Sequence, residues 1–189
     1  MDKQQLRKQV RTQLSRMSAQ QKIDKSQLAC KFLVETPEFQ NANTIMAFLS
    51  LPNEIETAQF ILYAWQHNKT IAAPKVSWQQ RHMIPVEINS LESGIATDAG
   101  GLRNPITGVP VPMEYIDLVI TPGLAYDKRG YRLGRGGSYY DRFFLNKSLK
   151  AKRCGFGFAE QVFDEVPTVE HDLPIDMLVT ENGVQYFNR

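Results

Sequence analysis

Apolar residues in the N-terminal part of the chain recur at helical spacing and predict two helices. In the first, four apolar residues three or four positions apart form one stripe: Leu6, Val10, Leu14 and Met17. A second helix is predicted from Ser26 to Glu35, because the residue before a proline avoids helical backbone and Pro37 follows. Lys3, Arg7 and Arg11 form a basic row beside the apolar stripe. Lys3 and Arg7 could reach a ligand, although a solvated basic face is the simpler interpretation of this row alone.

From residue 44 onward, short apolar runs bounded by proline, glycine and polar residues predict strands. The strand candidates are Thr44 to Ser50, Thr70 to Ala73 and residues 81–88, 116–120, 153–158, 176–180 and 184–187. A helix between the first two strands is predicted to carry Ile55, Ala58, Ile61, Leu62 and Trp65 on one side. A further helix is predicted from Tyr139 to Leu145, and residues 94–114 are predicted to be a long loop.

Strands that alternate with helices predict an α/β fold, with a mainly parallel sheet flanked by helices. With 189 residues and no evident linker, we expect residues 1–189 to form a single domain. Ligands of such sheets bind beyond the carboxyl ends of the strands. This rule selects the segments Leu49 to Glu54 and Thr121 to Asp141. Asp176 lies at the start of a predicted strand, so the rule does not select it.

Composition narrows the function classes further. Hydrophobic residues make up 42% of the chain and the net charge is +2, so composition does not indicate nucleic-acid or membrane binding. The N-terminus is polar rather than apolar, and no run approaches the ~20 apolar residues of a membrane span. Cys30 and Cys154 are far apart and outside any CxxC pair, so we expect buried, reduced thiols. We therefore expect a cytoplasmic protein, and a monomer.

The segment from Thr121 to Arg142 carries the strongest chemical signal. Gly134, Gly136 and Gly137 lie between a predicted strand and a predicted helix, where backbone N–H groups can converge on an anion. Residues 127–142 hold five cations and two carboxylates, a net charge of +3, whereas the remainder of the chain carries −1. Arginine guanidinium groups suit phosphate oxygens because they offer paired donors. The segment predicts a nucleoside-triphosphate or other polyphosphate site, with a solvated glycine-rich loop as the alternative.

Several single residues keep two interpretations at this point. Glu54 follows a strand at an expected helix N-terminus, where it either complements the helix dipole or holds an N–H-rich ligand. Asp141 either binds a metal beside phosphates or pairs with Arg142 or Arg135. Tyr139 and Tyr140 either pack in the core or form a wall for a ligand ring.

The run PGLAYDKRGYRLGRGGSYYDR resembles the signature of the 5-formyltetrahydrofolate cyclo-ligase family, also called 5,10-methenyltetrahydrofolate synthetases. The likeness extends over nearly the whole chain, through Lys3 with Arg7, residues 48–50, residues 53–57, Pro74-Lys75 and residues 162–180 with His171-Asp172. Several ordered motifs are more specific than one loop. One departure is Ser138, where many family members have glycine. If that position requires a positive φ, serine carries a strain cost.

The resemblance implies an α/β fold of the type shared with ribose-phosphate isomerases and CoA transferases. It also implies ATP and Mg²⁺, and conversion of 5-formyltetrahydrofolate to 5,10-methenyltetrahydrofolate with release of ADP and phosphate. The implied ATP-binding residues are Lys3, Arg7, Arg132, Leu133, Gly134, Arg135, Gly136, Gly137, Ser138, Tyr139 and Tyr140. The implied folate-binding residues are Leu49, Glu54, Arg135, Gly136, Gly137, Ser138 and Tyr139. Asp141 and Asp176 are implied as the magnesium ligands, and Arg132 and Arg135 as the catalytic arginines.

Two other classes remain open from the residues. A sugar-phosphate isomerase or CoA-transferase relative would use a carboxylate base such as Glu54 and need no ATP. A non-catalytic folate or nucleotide binder would retain the fold without turnover.

Overall fold

A computed structural model describes residues 1–188. The helices are α1 (Lys3–Ser15), α2 (Ala19–Val34), α3 (Pro37–Asn41), α4 (Ala58–Gln66) and α5 (Tyr139–Phe144), with 3₁₀ turns at Met113–Tyr115 and Ala159–Gln161. The first six strands are β1 (Thr44–Ala47), β2 (Thr70–Ser77), β3 (His82–Glu87), β4 (Ile95–Thr97), β5 (Arg103–Pro105) and β6 (Leu118–Thr121). The others are β7 (Ala125–Asp127), β8 (Arg132–Leu133), β9 (Lys152–Phe156), β10 (Val162–Phe163), β11 (Met177–Thr180) and β12 (Gly183–Tyr186).

Seven strands form the main sheet, in the order β12-β11-β9-β6-β1-β2-β3. The five inner strands run parallel, and the edge strands β3 and β12 run antiparallel to their neighbours. Burial on both faces explains why the inner strands are short apolar runs rather than alternating ones. The predicted α/β fold with a mainly parallel sheet is confirmed.

The N-terminal helices begin at capping residues. Asp2 and Ser18 each accept a hydrogen bond from the backbone N–H three residues later, and Gln5 and Gln21 return the bond. Because Ser18 caps α2, this helix begins at Ala19 rather than at Ser26, which corrects the predicted boundary. The apolar stripe of α1 faces the core as expected, with three of its residues buried: Leu6, Val10 and Leu14.

Strand β2 continues past Pro74 to Ser77, whereas the sequence predicted its end there. Pro74 lies opposite Pro85 of β3, at a position where neither residue needs a backbone N–H. On its other side, β2 pairs with β1 only through residues 70–72, so Pro74 breaks no bond there. The extension carries Val76 and the following residues to the rim of the sheet.

The predicted loop at 94–114 is wrong in part, because β4 and β5 form a hairpin within it. A separate three-stranded sheet, in the order β10-β7-β8, lies beyond the end of β6. Short strands such as these offer too few alternating positions to be recognised in the sequence. Both hairpins lie next to the candidate site described below.

Both cysteines are buried and form no disulfide, as predicted. Burial raises the pKa of the Cys30 thiol to about 12 and raises that of Cys154 further above its ordinary range. The thiols are therefore protonated at neutral pH. Within residues 1–188, no helix combines the length and hydropathy required to span a bilayer.

Helix α4 packs a narrower face on the sheet than its sequence suggested. Phe60, Ile61 and Ala64 are buried, whereas Leu62 is 48% exposed. Ile55 is buried but precedes the helix. Because α4 is mostly apolar, its sequence predicted a wider buried face than the helix has. Only the packing shows that Leu62 lies outside that face.

Ile61→Ala and Leu62→Ala form a matched pair of adjacent, equally large side chains. Ile61→Ala should lower the free energy of unfolding by about 2–5 kcal/mol, because it removes a fully buried side chain and leaves a cavity. Leu62→Ala should lower it by about 0.5 kcal/mol or less. Urea unfolding followed by far-ultraviolet circular dichroism measures both. Equal losses would contradict the burial pattern of α4.

Candidate active site

One cavity of about 320 Å³ lies beyond the carboxyl ends of β1 and β6, the edge of the sheet at which the sequence predicted a ligand. Every predicted site residue except Asp176 lines it: Lys3, Arg7, Leu49, Glu54, Arg132, Leu133, Gly134, Arg135, Gly136, Gly137, Ser138, Tyr139, Tyr140 and Asp141. The structure thus brings together residues from α1, from the segment after β1 and from the glycine-rich loop. Their individual binding roles remain predictions.

The glycine-rich loop joins β8 to α5. Gly136 has a φ of 118° and Ser138 a φ of 49°, so the chain twice enters the left-handed region in three residues. Within residues 1–188, no backbone N–H from Gly134 to Ser138 donates a hydrogen bond to another protein atom. A run of unsatisfied N–H groups around a bend can accommodate an anion.

The hairpin before this loop depends on Asp127, a residue that sequence reasoning missed. Its side chain is fully buried and accepts hydrogen bonds from the backbone N–H groups of Arg129, Tyr131 and Val166, at 2.9, 2.9 and 3.0 Å. The Arg129 guanidinium also donates to its Oδ2, at 2.9 Å from Nη2. Asp127 thereby ties β7, β8 and the chain near β10 into one unit. These hydrogen bonds offset the cost of burying the carboxylate.

Arg135 and Glu54 form an ion pair across the cavity. The Arg135 Nη2 and Nε atoms lie 2.8 and 3.0 Å from Glu54 Oε1, and the Leu51 N–H donates to Oε2 at 3.0 Å. The Glu54 side chain is only 10% exposed, whereas that of Arg135 is 43% exposed. Helix α4 begins at Ala58, so the expectation that Glu54 occupies a helix N-terminus is wrong. Its carboxylate instead orients an arginine of the glycine-rich loop.

Arg132 and Asp141 form a second, more buried pair. Arg132 Nη2 donates to Asp141 Oδ1 at 3.0 Å, and the two side chains are 3% and 12% exposed. The sequence had proposed Arg142 or Arg135 as the arginine partner of Asp141, and the structure corrects this to Arg132. Arg132 belongs to β8 and Asp141 to α5, so the pair closes the loop between them. Sequence proximity did not indicate it.

Two buried polar atoms next to the Arg132–Asp141 pair have no hydrogen-bond partner among the described residues: Arg132 Nε and the Tyr140 hydroxyl. Arg132 also lies over the Tyr140 ring, with its Cζ atom 5.4 Å from the ring centroid. Burial raises the pKa of Tyr140 well above its ordinary value, so the hydroxyl is a permanent donor. Unsatisfied buried donors are uncommon in proteins, so these two mark an unusual part of the cavity lining.

Helix α1 supplies two cations to the cavity. Lys3 Nζ lies 2.5 Å from Asp172 Oδ2, and Arg7 Nε donates to the Gly134 carbonyl at 2.9 Å. Lys3 and Arg7 of the basic row therefore line the cavity, whereas Arg11 is exposed and does not line it. Asp172 lies 169 positions from Lys3, so spacing in the sequence carried no signal for the contact.

A further part of the cavity lining is apolar. It includes Phe48, Leu49, Met83 and Trp78, and Trp78 contacts Tyr139 edge to face at a ring-centroid distance of 5.6 Å. Tyr139 and Tyr140 both line the cavity, and Tyr140 also packs against Phe144. Sequence reasoning did not find Trp78, since it lies at the end of β2 beyond the proline that was expected to end that strand.

The two predicted metal ligands do not lie together. Asp141 lines the main cavity, whereas Asp176 lies at the amino end of β11 in a different pocket with Glu38, Lys152 and Tyr186. The backbone N–H of Arg153 donates to the Asp176 carboxylate at 2.7 Å. Residues 1–188 contain no group of three or more histidine, cysteine or carboxylate side chains able to hold a metal. The geometry therefore does not support one ion shared by Asp141 and Asp176.

Asp141 alone does fit a cation that is held mainly by phosphates. Its Oδ1 accepts from Arg132, and no protein group of the described residues donates to its Oδ2. Mg²⁺ in phosphate sites commonly uses one or two carboxylates and keeps several waters.

Comparison with known proteins identifies the family. A model of the 5-formyltetrahydrofolate cyclo-ligase family matches residues 1–181. The chain belongs to this family. The cyclo-ligase of Mus musculus is 28% identical over 188 residues, covering 94% of this chain and 93% of the relative. The mitochondrial cyclo-ligase of Arabidopsis thaliana is 30% identical, covering 95% of this chain and 74% of the relative. Both the resemblance and the prediction of an enzyme are confirmed.

Solved structures support the cyclo-ligase assignment. The structure of Aquifex aeolicus 5,10-methenyltetrahydrofolate synthetase is 28% identical to this chain and superposes with a TM-score of 0.86, covering all of this chain and 94% of the other. A synthetase from Mycoplasma pneumoniae, 22% identical, has a TM-score of 0.78 and shares the fold.

Substitution of Ser138 tests whether the backbone of the glycine-rich loop is strained. Its φ of 49° is left-handed and its side chain caps nothing, so Ser138→Gly should raise the free energy of unfolding by about 0.5–1 kcal/mol. Ser138→Ala is the control, since alanine has the same backbone restriction and should change stability little. Urea denaturation compares the three proteins. A Ser138→Gly variant that is no more stable than the alanine control would show that the left-handed backbone is not strained.

Proposed function

We propose that the protein is an ATP-dependent 5-formyltetrahydrofolate cyclo-ligase, which produces 5,10-methenyltetrahydrofolate, ADP and phosphate. The observation that carries the proposal is that one cavity has two kinds of lining. It combines a bent loop of free backbone N–H groups and cationic side chains with apolar and aromatic side chains. A nucleoside triphosphate requires the first environment, and a reduced pterin with its aminobenzoyl ring requires the second.

On the phosphate side, the loop backbone and the arginines would bind the triphosphate. Five cationic and three carboxylate side chains line the cavity, which leaves an excess of positive charge. Arg132 is already fixed by Asp141 at 3.0 Å. Such pre-oriented donors need little rearrangement as charge develops during phosphoryl transfer.

On the folate side, Glu54 would hold the N–H groups of the pterin. Arg135 is the more exposed member of the Glu54–Arg135 pair, so it can turn toward a phosphate. Glu54 would then offer its released oxygen to the pterin, while the Leu51 N–H keeps the carboxylate in place. This exchange of partners would couple the two substrates, because each one satisfies one half of the pair.

The proposed reaction needs no protein nucleophile. An N-formyl carbonyl is a poor electrophile, because the amide nitrogen donates into it. Its oxygen attacks the γ-phosphorus of ATP, a P–O bond forms, and the bond to ADP breaks. The second folate nitrogen then attacks the activated carbon, the C–O bond breaks, and phosphate departs as the nitrogen loses its proton. Arg132 and Arg135 would neutralise the phosphoryl oxygens and align them with the formyl oxygen.

A bound Mg²⁺ would neutralise charge on the β- and γ-phosphates. Asp141 is the residue that we expect to contact it, through the oxygen that Arg132 does not use. In the same position Asp141 also keeps Arg132 oriented.

The isomerase alternative has less support in this geometry. An isomerase or transferase of this type would need one carboxylate base and one site for a phosphate. The five cations that line the cavity exceed what a single phosphate requires.

The experiment that tests the proposal is a direct assay. The purified protein with (6S)-5-formyltetrahydrofolate, ATP and magnesium should produce the near-ultraviolet absorbance of methenyltetrahydrofolate. The signal should disappear when either ATP or magnesium is omitted. Turnover without ATP would favour the isomerase-type alternative, and ligand binding without turnover would favour a non-catalytic binder.

Arg135→Ala should lower kcat by about 10³-fold, because it removes a donor for the transferred phosphoryl group and leaves Glu54 unpaired. The same absorbance assay, run at saturating substrates, measures the loss. Arg11→Ala is the control, since Arg11 is an exposed arginine of α1 that does not line the cavity. Its kcat should equal that of the unmodified protein. An Arg135→Ala protein with full turnover would exclude Arg135 from catalysis.

A further inference from the structure

The hairpin β4–β5 forms part of the cavity rim. The Asn104 side chain fixes it to β2, accepting from the Val76 N–H at 2.8 Å and donating to the Val76 carbonyl at 3.1 Å. At its turn, a Cβ atom on Gly101 would lie 3.8 Å from Leu51 Cδ2. The hairpin is therefore held between β2 and the segment after β1, and from there Leu102 and Arg103 line the cavity.

Arg103 introduces a charge into the apolar part of the cavity. The other lining residues of β2, β3 and this hairpin are all apolar: Pro74, Val76, Trp78, Met83 and Leu102. Arg103 is half-buried, and its Nη2 donates to the Leu91 carbonyl. Within residues 1–188 it forms no ion pair. The carboxylate of the hairpin, Asp98, instead accepts from the backbone N–H groups of Gly100 and Leu102, at 2.8 and 2.9 Å.

The remaining cations of the cavity are all committed to the glycine-rich loop or to its neighbours. Arg132 of β8 and Arg135 of the loop pair with carboxylates. Lys3 pairs with Asp172, and Arg7 donates to Gly134. Arg103 belongs to the hairpin beside β2 and pairs with no carboxylate of the described residues. It is therefore the cation of the cavity lining that is available to a second anionic group.

We propose that Arg103 binds a carboxylate of the glutamate tail of the folate substrate. This inference rests on the proposed function, which places the triphosphate on the glycine-rich loop. A reduced folate consists of two ring systems ending in an anionic glutamate. An apolar wall that ends in one arginine without a carboxylate partner matches this order of groups. The guanidinium fork has donors beyond the one used by Leu91, and it suits a carboxylate.

The test compares two substrates in Arg103→Gln. The first is 5-formyltetrahydrofolate, and the second is 5-formyltetrahydropteroate, which has the same rings but no glutamate. Arg103→Gln should raise KM for the first about tenfold, as expected for loss of a partly exposed charge-assisted hydrogen bond, and leave kcat nearly unchanged. KM for the pteroate should be the same in both proteins, because this substrate has no carboxylate for Arg103 to bind.

Two further variants complete the design. Arg103→Lys should recover part of the lost affinity, because the charge is retained without the fork. Arg81→Gln, on the neighbouring β2–β3 turn and outside the cavity lining, should behave like the unmodified protein. A distorted cavity in Arg103→Gln would raise KM for both substrates alike, and that result would overturn the assignment. Unchanged KM for 5-formyltetrahydrofolate would overturn it as well.

If the proposed function is wrong, the experiment gives a different result. The unmodified protein would then show no turnover of either substrate. A fluorescence titration with 5-formyltetrahydrofolate alone would still test Arg103, because weaker binding to Arg103→Gln than to Arg81→Gln supports the carboxylate contact. Equal binding to these two variants would exclude it.

Discussion

The buried carboxylate of Asp127 is the interaction on which the arrangement of the site depends. It accepts hydrogen bonds from two backbone N–H groups of the β7–β8 turn and from that of Val166, and it pairs with Arg129, so it fixes the hairpin that ends in the glycine-rich loop. A loop rich in glycine loses much conformational entropy when it is ordered, and nothing in its own sequence supplies that order. Order comes from its two ends. Asp127 holds the hairpin before it, and the Arg132–Asp141 pair joins that hairpin to α5.

Carboxylates hold most of the cationic side chains of the site in place. Three of its five cations are paired with carboxylates, through Glu54, Asp141 and Asp172. Pairing lowers the penalty of placing cations in a partly buried cavity, and it orients each one before a ligand arrives. A polyanionic ligand can then exchange with a carboxylate rather than with bulk water. The pair with the greatest exposure, Arg135 with Glu54, is the one best suited to such an exchange.

Sequence reasoning located most of the cavity lining because two rules act together there. Apolar runs identified the parallel strands, and their carboxyl ends selected the segments around Glu54 and Arg135. The basic row of α1 was visible but ambiguous, since periodicity shows which side chains share a face and not what that face contacts. The resemblance to a family resolved part of this ambiguity. It also implied a metal role for Asp176, which the structure puts in a different pocket from Asp141.

Local patterning was sufficient for the α/β class, for helix α1 and for the glycine-rich loop between a strand and a helix, because each depends on residues close together in the chain. Pairings between distant residues required the tertiary structure. Lys3 meets Asp172, and Arg135 meets Glu54, only after the sheet has brought their elements to one edge. The same holds for Arg103, whose hairpin is too short to show a strand pattern and is fixed by one asparagine on a neighbouring strand. Long-range contacts of single polar side chains produce no periodic signal, so only the folded chain determines them.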